Sequence, residues 1–257
     1  MVPLVPVAEA AEILGVDRRQ VRRLASTGLI SGHRYPAGWL LDEDSVRKRA
    51  GEQPQAGRPL SPNNAWALLR ALDQVSVSAA GAEKHAVAKN VVSQVAVGGY
   101  MNRHQARRLV ERLGSLPDGH SFANLVRRRA DVQSYRVHPG VVAELAKDAR
   151  VSLGGAQALA ALDGLAEGSA PLLAYVDAGE GARLVARYRA KLDPAGNVQL
   201  AMIPPGVPVV FRPEPGKLTS ASVTYTDAIA AEDARARWLA NEWFHRVKES
   251  LTAGQPN

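Results

Sequence analysis

Two short helices in immediate succession, each with one apolar face and separated by Gly15, Val16 and Asp17, are what most restricts the fold of this chain. In Val7–Leu14 (VAEAAEIL) the apolar residues Val7, Ala10, Ala11 and Leu14 recur at i, i+3, i+4 and i+7, one face of a helix. Gly15 and Val16 turn the chain. Asp17 then stands where a carboxylate can accept the unsatisfied N–H groups of a new first turn. The second helix spans Arg18–Ser26 and closes at Gly28. Val21, Leu24 and Ala25 share a face that must pack on the first helix. At 3.6 residues per turn Arg19 and Arg23 point directly away from it, flanked by Gln20 and Arg22. Gly32–Leu41 (GHRYPAGWLL) reads as a two-stranded hairpin, a wing, with Arg34 placed for phosphate. Asp42-Glu43-Asp44-Ser45 opens a third helix, its carboxylates favoured at the positive end of the helix dipole.

A helix that aims three arginines and a glutamine at solvent suits a major groove. Arginine can donate two bonds to the O6/N7 edge of guanine, and glutamine can read the N6/N7 edge of adenine. The candidate DNA-binding residues are Arg18, Arg19, Gln20, Arg22, Arg23, Arg34 and Tyr35, and the expected partner is double-stranded DNA. A basic helix face is more often merely solvated, and Asp42, Glu43 and Asp44 could pass for a metal or acid–base cluster, although capping explains them better. Order and spacing together favour DNA binding: helix, glycine turn, basic helix, glycine stop, hairpin, helix.

Charge agrees with this reading. The net charge is +7, and residues 1–140 carry 20 Lys and Arg against 12 Asp and Glu, while residues 141–257 carry 12 against 13. The excess lies in the first part of the chain, which suits a polyanion-binding front and a back end with another task. The 257 residues, 46% of them hydrophobic, are enough for one large domain or two to three small ones. No apolar run is long enough to span a bilayer. Met1–Val7 has no basic region and is interrupted by Pro3 and Pro6, so it does not read as a secretory signal. With no cysteine, disulfides, thiolate catalysis and Cys-based metal sites are excluded, and the cytoplasm is the expected compartment.

The fold class expected is α+β, in four stretches. Residues 1–50 form a winged helix–turn–helix, and residues 51–62 (GEQPQAGRPLSP) form a linker. Residues 63–139 form a helical middle segment, with helices at Ala65–Leu72 and His104–Leu113, the latter strongly basic; Val75–Val97 resists assignment. Residues 140–257 alternate between helix and strand and form a C-terminal mixed α/β domain. Its helices are expected at Val141–Lys147, Ala156–Leu162 and Ala182–Tyr188, and its strands at Val151–Leu153, Leu172–Val176, Val198–Ile203 and Val207–Arg212. One long helix, roughly Thr226–Leu251, closes the chain, with Trp238 and Trp243 both expected in a core.

The run VAEAAEILGVDRRQVRRLASTGLISGHRYPAGWLLDEDSV resembles the helix–turn–helix of excisionases and MerR-type regulators. In those families the second helix enters the major groove and the wing touches the backbone. The remainder, with RPLSPNNAWALLRAL, RRRADVQSYRVHP, VSLGGAQALAAL, AYVDAGEGARLVARYRAKLDPAGNVQLAMIP and AAEDARARWLANEW, is similar to AbiEi-like antitoxins of actinobacterial type IV toxin–antitoxin systems. That resemblance implies a DNA-binding autorepressor whose C-terminal domain opposes a nucleotidyltransferase-type toxin protein. The Val75–Val97 stretch departs from the expected pattern.

Nothing points to an enzyme. His33, His85, His104, His120, His138 and His245 are scattered, without HExxH-like spacing, and His138 before Pro139 reads as a turn residue. Gly98-Gly99 and Gly154-Gly155 look like phosphate loops but lack a P-loop Lys-Ser/Thr and a third dinucleotide glycine. No GxSxG elbow is present. No catalytic residue, cofactor or metal is therefore expected. Beside the antitoxin stand two alternatives: a one-component regulator with a ligand-sensing C-terminal domain, and an excisionase-like architectural factor. A homodimer is plausible for any of them, since helix–turn–helix proteins usually read paired half-sites.

Overall fold

The computed structural model describes residues 4–252 apart from 15, 28, 36–37, 44, 47–48, 50–58, 79–83, 98–100, 165–169 and 232. The chain divides into two units, residues 1–55 and 56–257. Most of the expected linker, residues 51–58, lies outside the described residues, and its last residue, Pro62, already begins a helix.

The first unit contains β1 (Leu4–Pro6), α1 (Val7–Leu14), α2 (Arg18–Ser26), β2 (Gly32–Tyr35) and β3 (Gly38–Asp42). The strands form an antiparallel sheet in the order β1-β3-β2. Ala10 and Leu14 of α1 and Val21, Leu24 and Ala25 of α2 are buried with Val5, Ile30, Leu41 and Val46. Strand β1 is an addition to the expected hairpin, and Pro6, which has no N–H to donate, sits at the sheet's edge.

The second unit begins with four helices: α3 (Pro62–Ser78), α4 (Lys84–Val97), α5 (Arg103–Ser115) and α6 (Gly119–Val126). Ala65 to Leu69 are buried without interruption, which makes α3 the centre of the helical layer. Val75–Val97 resolves into the end of α3 and α4. A short 3-10 turn, Arg127–Arg129, leads to a strand where only helix was expected, β4 (Asp131–Arg136). Then follow α7 (Pro139–Ala146), β5 (Ser152–Leu153), α8 (Gly155–Asp163), β6 (Leu172–Asp177), α9 (Ala178–Arg187), β7 (Lys191–Leu192), β8 (Val198–Ile203), α10 (Ala221–Ile229) and α11 (Ala234–Thr252).

The five strands lie in the order β5-β6-β8-β4-β7, with β6 and β8 parallel and the other pairs antiparallel. Side chains alternate across a strand. Leu172, Ala174 and Val176 of β6 therefore pack with Leu145 and Leu184 of α7 and α9, while Leu173 and Tyr175 pack with the helical layer. The same hydrophobic cluster takes residues from Ala65 to Leu251, so the segments 63–139 and 140–257 share one core.

Three expectations fail. Val207–Arg212 contains a 3-10 turn, Val209–Phe211, rather than a strand. The closing helix is two: Asp233 accepts the Ala236 N–H at 2.7 Å and so caps α11 as a new helix. Trp243 is buried against Phe122 and Tyr225, but Trp238 is 60% exposed, because the buried positions of α11 follow Ala236, Ala240, Trp243, Phe244 and Val247 instead.

A buried polar cluster joins the helical layer to the sheet. Arg129 Nη2 donates to Asp227 Oδ1 at 2.5 Å and Arg129 Nε donates to the Tyr175 hydroxyl at 3.2 Å. The Tyr175 hydroxyl donates to Asp227 Oδ1 at 2.7 Å, and the indole N–H of Trp66 donates to the Arg129 carbonyl at 2.7 Å. Burial on its own would lower the pKa of Arg129, but Tyr175 and Asp227 hold it above its ordinary value. Burial also pushes the Tyr175 phenol well up. The Gly154-Gly155 pair receives an anion from within: Gly155 N–H donates to Asp227 Oδ2 at 3.3 Å at the start of α8. A Cβ at Gly154 would stand 2.9 Å from both that oxygen and the Tyr175 ring. His138 caps α7, its Nδ1 accepting from Gly140.

Removing Asp227 would leave a buried, uncompensated guanidinium. We expect Asp227→Ala to cost about 3–5 kcal/mol in urea unfolding, and Tyr175→Phe only about 1–2 kcal/mol. Trp243→Ala should cost about 3–5 kcal/mol and Trp238→Ala less than about 0.5 kcal/mol.

Candidate DNA interface

The geometry of the first unit follows from its caps. Val16 N–H donates back to Ala11 O at 3.1 Å and so fixes the turn after α1. Asp17, in extended conformation, accepts the Gln20 N–H on Oδ1 at 2.8 Å and starts α2. The far end is closed by Thr27, whose hydroxyl donates to Arg23 O at 2.9 Å and Leu24 O at 3.1 Å. With both ends fixed and Val21, Leu24 and Ala25 held in the core, the rotation of α2 about its axis is set.

Arg18, Arg19, Gln20, Arg22 and Arg23 are all exposed. Arg19 and Arg23 lie opposite the buried face, with Arg18 and Arg22 to one side and Gln20 to the other. Among the described residues none of these arginines makes an ion pair, so their charge is available to a partner. Ser26 shares the outward line of Arg19 and Arg23, three residues after Arg23 and seven after Arg19. Its hydroxyl donates to Arg23 O at 2.9 Å.

The hairpin brings Arg34 opposite Trp39 and Tyr35 opposite Gly38. Both Arg34 and Tyr35 are exposed, but adjacent strand residues face opposite ways, so they leave the hairpin on different sides. A Cβ on Gly32 would meet Leu40 O at 2.7 Å, so this glycine permits the close approach of β2 to β3. After β3, residues 43, 45, 46 and 49 are helical; Asp42 Oδ1 accepts the Ser45 N–H at 3.2 Å, as a cap does. Asp44 lies outside the described residues. No group of three or more His, Asp or Glu that could hold a metal occurs among the described residues, and no helix there is long and apolar enough to cross a membrane.

Residues 6–53 match the family described as helix-turn-helix domain. No curated protein and no solved structure matches the chain. The N-terminal unit is therefore a helix–turn–helix domain, which supports a regulatory, DNA-binding role.

Because Arg19 and Arg23 touch nothing in the core, replacing both with Ala should change unfolding stability by less than about 0.5 kcal/mol each. Asp17→Ala should cost about 1 kcal/mol through the lost cap. Chemical denaturation of the three variants checks this ranking.

Proposed function

We propose that this protein is a winged helix–turn–helix repressor of its own operon. In this reading α2 enters the major groove with Arg19, Gln20 and Arg23 towards the bases. Arg18, Arg22 and Arg34 meet the backbone, β2–β3 acts as the wing, and Tyr35, which leaves the hairpin on the other side from Arg34, is a contact only where the duplex reaches that side. The observation that carries it is the row of exposed arginines on α2, without ion pairs among the described residues, above a buried Val21/Leu24/Ala25 face. A homodimer reads paired half-sites, as is usual for this fold.

The finer reading is that the second unit neutralises a nucleotidyltransferase-type toxin, so that the protein is an antitoxin as well as a repressor. It works in the cytoplasm, by binding rather than by catalysis, and without a cofactor. The antitoxin half rests on the resemblance of the segments from RPLSPNNAWALLRAL to AAEDARARWLANEW, and the separate core of residues 56–257 gives it a body of its own.

In mobility shifts on the protein's own promoter, Arg19→Ala and Arg23→Ala should each lose roughly 1–3 kcal/mol of affinity per base contact removed. Unchanged binding would end the α2 assignment. Where a nucleotidyltransferase-type protein that arrests growth is encoded beside it, co-expression with this protein should restore growth of the host. If full-length protein gives no rescue, the antitoxin half fails. Derepression by a small molecule seated in the open cleft of about 420 Å³ near Trp66, Asp73, Phe211 and Lys217 would favour a ligand sensor instead.

A further inference from the structure

The positive charge is not where the helix–turn–helix is. Residues 1–55 carry 8 Lys and Arg against 7 Asp and Glu, whereas residues 56–140 carry 12 against 5. Nearly the whole excess thus belongs to the second unit. Some of it is spent internally: Arg129 pairs with Asp227 and Arg136 with Asp193.

The largest exposed part of the remainder is on α5. Asn102 and Gln105 form a reciprocal capping box that fixes the start of this helix. Ala106, Leu109, Val110 and Leu113 are buried on one face. The opposite face presents His104, Arg107 and Arg108, with Glu111 as its single carboxylate, and Arg103 is exposed beside it in the first turn. None of the three arginines makes an ion pair among the described residues. Positive side chains that the fold neither buries nor neutralises have no structural task here.

We infer that this face of α5 is a second DNA-binding surface, which contacts the phosphate backbone of duplex DNA without reading its bases. It rests on the DNA-binding reading of the first unit, because the covalent link supplies the reason for choosing DNA. Once α2 holds a duplex, the second unit is kept at high local concentration beside the same polyanion. Side chains spaced by about one helical turn, Arg103 with Arg107 and His104 with Arg108, can follow successive phosphates. Arg127 and Arg128, exposed in the turn after α6, are further unpaired cations of the same unit.

The test uses the full chain and two fluorescent duplexes of equal length, the protein's own promoter and an unrelated sequence, over a series of salt concentrations. Replacing Arg103, Arg107 and Arg108 together with Gln should lower affinity for both duplexes by the same factor. It should also flatten the slope of log K against log salt by roughly 0.9 per lost phosphate contact, so that wild type loses about 40-fold more affinity than the variant between 50 and 200 mM salt. Glu111→Gln should act in the opposite sense and tighten both complexes, which no folding defect would do. Arg19→Ala with Arg23→Ala should instead erase the preference for the promoter duplex. If that preference survives, the reading of α2 fails. An unchanged salt slope in the triple variant, or no gain from Glu111→Gln, overturns the α5 surface.

Discussion

The Arg129–Asp227 pair is the constraint on which the second unit depends. Its members come from the turn after α6 and from α10, about a hundred residues apart in sequence, and Tyr175 of β6 bridges them. A guanidinium and a carboxylate taken out of water are tolerated only when both are paired and their remaining hydrogen-bonding capacity is used. Here Asp227 accepts from Arg129, Tyr175 and the Gly155 N–H, while Trp66 N–H donates to the Arg129 carbonyl. The cluster is satisfied only when α3, the Arg127–Arg129 turn, β6, the start of α8 and α10 are all in place. The pair adds little net stability, but it penalises any other register of the helical layer on the sheet.

The sheet's composition follows from that layering. With α7 and α9 on one face and the helical layer on the other, β6 is covered on both sides, and its run Leu172–Val176 is apolar throughout. Its single polar atom of consequence, the Tyr175 hydroxyl, must then find partners inside the protein. It finds Arg129 and Asp227. Burial pushes the phenol's pKa up, and its hydrogen bonds tie the sheet to the helical layer.

Local signals in the sequence were legible. The Asp17 cap, the bounds of α2 and strand β8 follow from periodicity and capping alone, and so does the exposure of the α2 arginines. Long-range partners were not. Arg129 is the last of three consecutive arginines and reads as surface charge, yet it alone turns inward because Asp227 is there to receive it. Gly154-Gly155 has the look of a phosphate loop because it does bind an oxyanion, one supplied by α10. The missed break at Asp233 is a capping signal hidden inside an apolar period. Leu4–Pro6 is too short, and ends in a proline, to announce a strand that only β3 stabilises. The outward placement of the α2 arginines was readable, but the allocation of charge between units was not, since it depends on where one core ends and the next begins.

That allocation bears on how a nearly neutral recognition unit can hold a polyanion. In the first unit Glu9 and Glu12 occupy the solvent side of α1, while Arg19 and Arg23 occupy that of α2. The unit is polarised rather than basic among its described residues: four arginines project from α2, while Glu9 and Glu12 project from α1. Such a surface can orient and discriminate, because a misplaced approach brings carboxylates against phosphate. Its long-range attraction is weak, since at physiological ionic strength opposite charges on one small unit cancel beyond a Debye length of about 8 Å. Attraction at longer range needs charge that is not cancelled nearby, and in this chain the net positive excess is borne almost entirely by residues 56–140. On the proposed reading, specificity and non-specific affinity fall on different bodies, so substitutions on one would alter the first without changing the second.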